Sequence, residues 1–208
     1  MSTEIRPADL AYWNPLPTAR RSLAKQERKS PTDPALRIGG GMPDMDGWEA
    51  KRWMTVPGPF FSGQTDNCHT GMMEAPDLVV YDSDGYEIVY RQPTTPEQVE
   101  KILRAAWADP YGGYSWDGDK YWTPESVRDW WTDRGRVREF IEQQWIEEGM
   151  AGTPIAGPAS RFPTEDARYG LVRYAEDLAG PLESRLRGYL FWLLEGREPR
   201  LVESLPTL

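Results

Sequence analysis

The sequence predicts an α+β domain: a small antiparallel sheet centred on a 78–90 hairpin, packed against four or five helices, with an irregular N-terminal wrap. Two observations point that way. The runs Leu78-Val79-Val80-Tyr81 and Tyr86-Glu87-Ile88-Val89-Tyr90 are β-branched and aromatic, and the linker Asp82-Ser83-Asp84-Gly85 joins them. An Asp there can bond the backbone ahead and a Gly accepts positive φ, so the pair reads as a hairpin. Around it lie stretches with apolar residues at helical spacing, two of them opened by Thr-Pro-Glu, a capping residue followed by a first-turn proline.

Residues 1–47 read as an irregular, partly flexible arm. Pro7, Pro15, Pro17, Pro31, Pro34 and Pro43 interrupt any long helix, leaving room for a short one over Thr18–Lys29. Trp13, Trp48 and Trp53 are too large and apolar for open solvent, so parts of this region should wrap over the core. The domain itself is expected over 48–198. Pro76 and Pro93 bracket the hairpin where ladder pairing must stop, and its strands are apolar enough to be covered on at least one face. Thr95-Pro96-Glu97-Gln98 then opens a helix in a capping-box pattern, with Val99, Ile102, Leu103, Ala106 and Trp107 on its apolar face. Asp109-Pro110 ends it, and residues 111–122 follow as a loop rich in glycine and aromatics.

Thr123-Pro124 opens the next helix, to about Trp131, and Asp133-Arg134-Gly135 breaks it. A second helix over about 136–148 places Val137, Phe140, Ile141, Gln144 and Trp145 together. Gly149–Pro163 reads as a connector, Thr164 as the cap of a helix to about Leu178, and Leu182–Glu195 as a final helix after Gly180-Pro181. Residues 199–208 read as an extended or frayed tail.

Composition bounds the function classes. The chain has 208 residues, 39% of them hydrophobic, with no run long enough to span a membrane. Its start lacks a charged segment followed by an apolar core, so a cytoplasmic location without membrane partner is expected. Arginine in large excess over lysine, with abundant Gly, Pro and Trp, is the usage of a high-GC bacterial genome or its phage. Net charge is −9, unevenly spread: residues 1–40 hold seven basic and four acidic side chains, the remainder seventeen and twenty-nine. An acidic body repels phosphate backbones, which argues against nucleic acid as partner.

Three constellations could carry chemistry. Cys68 and His69 are the single cysteine and the single histidine, and they are adjacent. A thiolate beside an imidazole is a nucleophile and base pair, with Asp66 or Glu74 to orient the ring. Neighbouring side chains diverge on an extended backbone, however, so the plainer reading is a semi-buried Cys in a polar loop. The Asp-x-Asp pairs at 44/46, 82/84 and 117/119 fit turn chemistry better than a metal site, because none supplies a third ligand and a closing Glu. Leu78–Gly85 superficially resembles the strand-then-Asp-x-Asp entry of haloacid-dehalogenase phosphatases or of Asp-x-Asp glycosyltransferases over eight residues, but the following Thr or Val is missing and a second strand follows at once. One Cys and one His leave zinc without ligands, and no cofactor is expected.

The third constellation is the 111–122 loop, where Tyr114, Trp116 and Tyr121 alternate with Asp117 and Asp119. Tyr and Trp dominate binding hot spots, and Gly112, Gly113 and Gly118 would let the loop present them. The expected function is therefore a non-catalytic protein-binding module, an inhibitor, immunity or accessory protein, whose acidic aromatic face meets a partner with a basic surface. The alternative is a small enzyme using the 62–71 loop, with Cys68 as nucleophile or His69 as acid/base.

Overall fold

In a computed structural model of the chain, describing residues 12–29, 47–145 and 167–208, the expected hairpin forms at the centre. Strands β2 (Val79–Tyr81) and β3 (Glu87–Val89) pair antiparallel, with Val79 opposite Val89 and Val80 opposite Ile88. The turn works as its composition implies. Gly85 takes φ 79°, and the Asp82 carboxylate accepts the backbone N–H groups of Asp84 and Tyr86 at 2.9 and 3.1 Å. Arg52 binds both the Asp82 and the Asp84 carboxylates, which explains this Asp-x-Asp pair without a metal.

The hairpin is covered on both faces. By the period-two rule, Val80, Ile88 and Tyr90 face one core, which α4 (Pro124–Thr132), α5 (Arg134–Trp145), α6 (Ala167–Ala179) and α7 (Pro181–Glu195) complete. Val79 and Val89 face a second core, joined by Leu78 just before the strand, with α1 (Leu16–Lys29), α2 (Thr70–Glu74) and α3 (Pro96–Ala108). The architecture is thus mostly helical, with seven α-helices among the described residues and two small two-stranded sheets. Helix α6 crosses β2 so closely that a Cβ on Gly170 would lie 2.2 Å from Val80 Cγ1. The Tyr174 hydroxyl donates to the Met54 carbonyl at 2.5 Å, and Asp177 takes Arg91 at 2.6 Å and Arg185 at 2.9 Å, tying α6 to the hairpin's exit and to α7.

Local capping chemistry sets several helix starts. Thr95 accepts the Gln98 N–H, and Thr123 and Ser126 form a full capping box. The reciprocal bond at α3 differs from the expected pattern, since the Gln98 carbonyl accepts from Thr94 and not from the cap residue. Helix α1 starts at Leu16, two residues before the expected start, because Asn14 Oδ1 accepts the Leu16 N–H at 3.0 Å.

The N-terminal wrap over the core is seen, and two other expectations need correction. The described part of the N-terminal arm is integral: Ala19 and Leu23 are buried against α3, Trp13 packs beside them, and the Asn14 N–H donates to Glu198 Oε1 at 2.8 Å. The 199–208 tail is docked, since Arg187 donates to the carbonyls of Leu205 and Pro206, Arg128 to that of Thr207, and Leu208 packs on the first core. The 111–122 loop is not wholly irregular, because β4 (Tyr114–Ser115) pairs with β1 (Phe61–Ser62). The Asp44/Asp46 pair, the 149–163 connector and the Thr164 cap lie outside the described residues.

Candidate functional site

The turn 47–50 folds Lys51 back over Trp48, with the Lys51 N–H bonded to the Trp48 carbonyl at 3.0 Å. Trp48 and Trp122 meet edge to face at 5.2 Å, and the Lys51 ammonium lies over both rings, 5.0 and 4.7 Å from their centroids. Burial pulls the Lys51 ammonium down to about 8, while the negative ring faces oppose that pull by attracting the cation. Tyr121 stacks on the outer face of the cluster, 4.9 Å from Trp48 with 12° between planes, and stays 39% exposed. Phe61 supports Trp48 from within by a perpendicular contact at 5.2 Å.

The loop that carries Tyr121 is held rigidly. The Gly118 N–H donates to the Pro59 carbonyl at 2.9 Å, and the Gly118 carbonyl accepts from Tyr121 and Trp122. Glycine is required there, since a Cβ would stand 2.3 Å from the Gly58 carbonyl oxygen. The result is an aromatic platform on a fixed scaffold, with Lys51 beneath it and the ion pair of exposed Lys120 with half-buried Asp117 at its edge.

The five loop residues expected at a binding face divide. Tyr121 is exposed and Asp117 half-buried beside it. Tyr114 is no surface residue: it is 2% exposed, and its hydroxyl donates to Glu87 Oε2 at 2.7 Å. Trp116 is half-buried against the second core. Asp119 turns inward and accepts the Tyr189 hydroxyl at 2.8 Å and the Trp192 Nε1–H at 2.9 Å. Burial raises the Asp119 carboxyl while those two donors oppose the rise. The residues that complete the platform, Trp48 and Lys51, were not singled out from sequence as site residues. They lie some seventy residues before Tyr121, and no spacing links the two stretches.

The 62–71 loop is also built, but its chemistry is spent on the backbone. The buried Asp66 carboxylate accepts the Cys68 N–H at 2.9 Å and the Thr70 hydroxyl at 2.7 Å, and the Asp66 N–H donates to Asp109 at 3.0 Å. His69 caps α2 in the left-handed region, φ 66°, with its N–H on the Tyr81 hydroxyl and its ring 4.7 Å from the Tyr81 ring. Cys68 is exposed, not semi-buried, and its Sγ has Asn67 Oδ1 at 3.9 Å. No hydrogen bond joins the Cys68 thiol to the His69 ring, and Asp66 orients neither of them as a base.

Behind this loop sits Glu87, fully buried. Its Oε1 accepts from the N–H groups of Gly71 and Met72 at 2.7 and 3.1 Å and from the Tyr81 hydroxyl at 2.8 Å, while Tyr114 takes Oε2. Burial is the largest influence on the Glu87 carboxyl and lifts it above the ordinary glutamate value, against the pull of its four donors. Burial and the Glu87 charge together raise both tyrosine hydroxyls. The one sequence signal for this clamp is that Glu87 shares a strand face with the core residue Val89.

Among the described residues, no group of three His, Cys, Asp or Glu side chains is placed to hold a metal ion, and no helix is long and apolar enough to cross a membrane. Comparison with protein-family models, with curated proteins and with solved structures gives no match.

Proposed function

We propose that the chain is a non-catalytic protein-binding module whose contact face is the Trp48–Tyr121 platform with Asp117 and Lys120 at its rim. The observation that carries this reading is the stacked, outward Tyr121 ring on a loop that backbone bonds hold rigid. A rigid exposed aromatic loses little entropy on binding, and a rim of opposite charges sets orientation. The net charge of −9 favours a partner with a basic surface, because complementary fields raise association rates.

The wild-type chain, Tyr121→Ala and Asp117→Lys serve as baits for proteins of the native host. Partners held by wild type are expected to be lost with Tyr121→Ala, by about thirtyfold in affinity for a hot-spot truncation of about 2 kcal/mol. Asp117→Lys is expected to slow association more at low than at high ionic strength. A partner retained equally by all three folded baits, as judged by unchanged melting curves, refutes the proposal.

A further inference from the structure

On the side of the domain where α1's approach meets α7, a cavity of about 490 Å³, including its open mouth, lies between Tyr12 and Trp13, the 56–59 turn, residues 91–94 and Leu182–Tyr189. The walls are rigid and apolar. Pro15, Pro57, Pro59 and Pro93 contribute fixed rings, Tyr12 and Trp13 add aromatic faces, and Leu182 and Leu186 close the α7 side. The walls are also preformed. The Gln92 amide donates to the carbonyls of Val56 and Phe60 at 2.9 and 2.7 Å and accepts the Phe60 N–H at 3.1 Å, so the two loops cannot drift apart. Gly58 lets that amide sit against the turn, since a Cβ there would come within 2.3 Å of Gln92 Cδ.

The electrostatics of the cavity run against those of the chain. The protein holds 33 acidic residues against 24 basic ones, yet the lining contains no Asp or Glu, and its ionised side chains are Arg91 and Arg185. Both guanidinium groups bond one carboxylate oxygen, Asp177 Oδ2, at 2.6 and 2.9 Å. Asp77 also bears on Arg91 but is itself paired with Lys101 at 2.8 Å, and Asp119 and Glu198 act from behind the Tyr12 wall, so the cations stand at the Arg91–Arg185 end alone. Each guanidinium has five N–H donors, and each gives one to Asp177, so donors remain for another anion. Tyr12, one of the wall rings, carries a buried hydroxyl with no hydrogen-bond partner among the described residues. An apolar ring alone cannot use these polar groups, and the carboxylates already acting on this region disfavour a ligand with more than one negative charge.

We infer that this cavity binds a small molecule made of an apolar ring and one carboxylate, with the ring between the proline and aromatic walls and the carboxylate on Arg185 and Arg91. No residue of the proposed partner face lines the cavity, and the inference does not depend on that reading.

Calorimetric titration of the full chain with phenylacetate, phenylacetamide and phenethylamine tests the inference. The three share a ring and differ in carrying one negative charge, none, or one positive charge. Phenylacetate is expected to bind with a dissociation constant at or below about 1 mM, at least about fivefold tighter than the amide, which matches a charge-assisted over a neutral hydrogen bond. Phenethylamine is expected to bind weakest. Arg185→Gln should erase the preference for the acid, and it leaves Asp177 paired with Arg91, so no buried carboxylate is orphaned. Leu186→Trp should fill the cavity and abolish binding of all three. The wild-type comparison of acid with amide needs no variant, so a failure of either variant to fold leaves the inference exposed to disproof. No heat from phenylacetate up to about 10 mM, equal affinity for acid and amide, or unaltered binding by a folded Leu186→Trp chain would each overturn it.

Discussion

Replacing Glu87 by alanine tests the account of the 62–74 region most severely. The substitution removes the acceptor for four donors at once. Three of them, the N–H groups of Gly71 and Met72 and the Tyr114 hydroxyl, are buried, while the half-buried Tyr81 can turn to water. Each unsatisfied buried donor costs about 1–3 kcal/mol, so the three together cost about 3–9 kcal/mol. The space left by the carboxylate admits water, which places the expected loss near the lower end, at about 4 kcal/mol. Glu87→Gln should cost only about 1 kcal/mol at neutral pH, because one oxygen still serves the two N–H groups and Tyr81, and the Tyr114 hydroxyl can reverse to accept from the amide. The assay is urea unfolding of the three chains at matched slope. The pH dependence separates charge from shape. Burial raises the Glu87 carboxyl in the folded state, so the folded chain binds that proton more tightly than the unfolded one. The contribution is therefore complete below the ordinary glutamate value and is lost as pH rises through the folded one. Wild type should gain on Glu87→Gln as pH falls toward about 4.3, the unperturbed value. An alanine variant within about 1 kcal/mol of wild type, or a wild-type advantage that shrinks on acidification, refutes the clamp as described.

The same clamp predicts that Gly71→Ala destabilises by about 2–3 kcal/mol in the same unfolding assay, since the new Cβ would lie 2.2 Å from Glu87 Oε2 and 2.4 Å from the Tyr114 hydroxyl oxygen. Arg52→Met should cost about 3 kcal/mol, because the Asp82 carboxylate, 0% exposed, loses its cation and keeps only backbone donors; hydrogen exchange at Tyr86 should quicken with it. Cys68→Ser should change stability by less than about 0.5 kcal/mol, and the wild-type thiol should label fully with a thiol reagent in the folded protein, because Cys68 is exposed.

What the sequence determined by itself was the structure whose causes lie within a few residues. The hairpin rests on Asp82 and Gly85 in its own turn, and the starts of α3 and α4 rest on Thr95 and Thr123 bonding residues three positions on. The apolar face of α5 followed from spacing alone, with Val137, Ile141 and Trp145 buried as their period requires. Tertiary structure decided wherever the stabilising partner is remote. Helix α2 has five residues and no side-chain cap, and it stands because Glu87 receives its first N–H groups from the hairpin. Strands β1 and β4 have two residues each, too few for a periodic signal, and pair across fifty residues of chain. The aromatic loop is the clearest case. Tyr114, Asp119 and Tyr121 have the same local setting of glycines and carboxylates, and composition treats them alike. Glu87 draws Tyr114 inward, Tyr189 and Trp192 draw in Asp119, and Trp48, some seventy residues earlier in the chain, holds Tyr121 stacked at the surface. The direction in which a side chain points from a loop is set by partners the local sequence does not contain, and so it belongs to the fold as a whole.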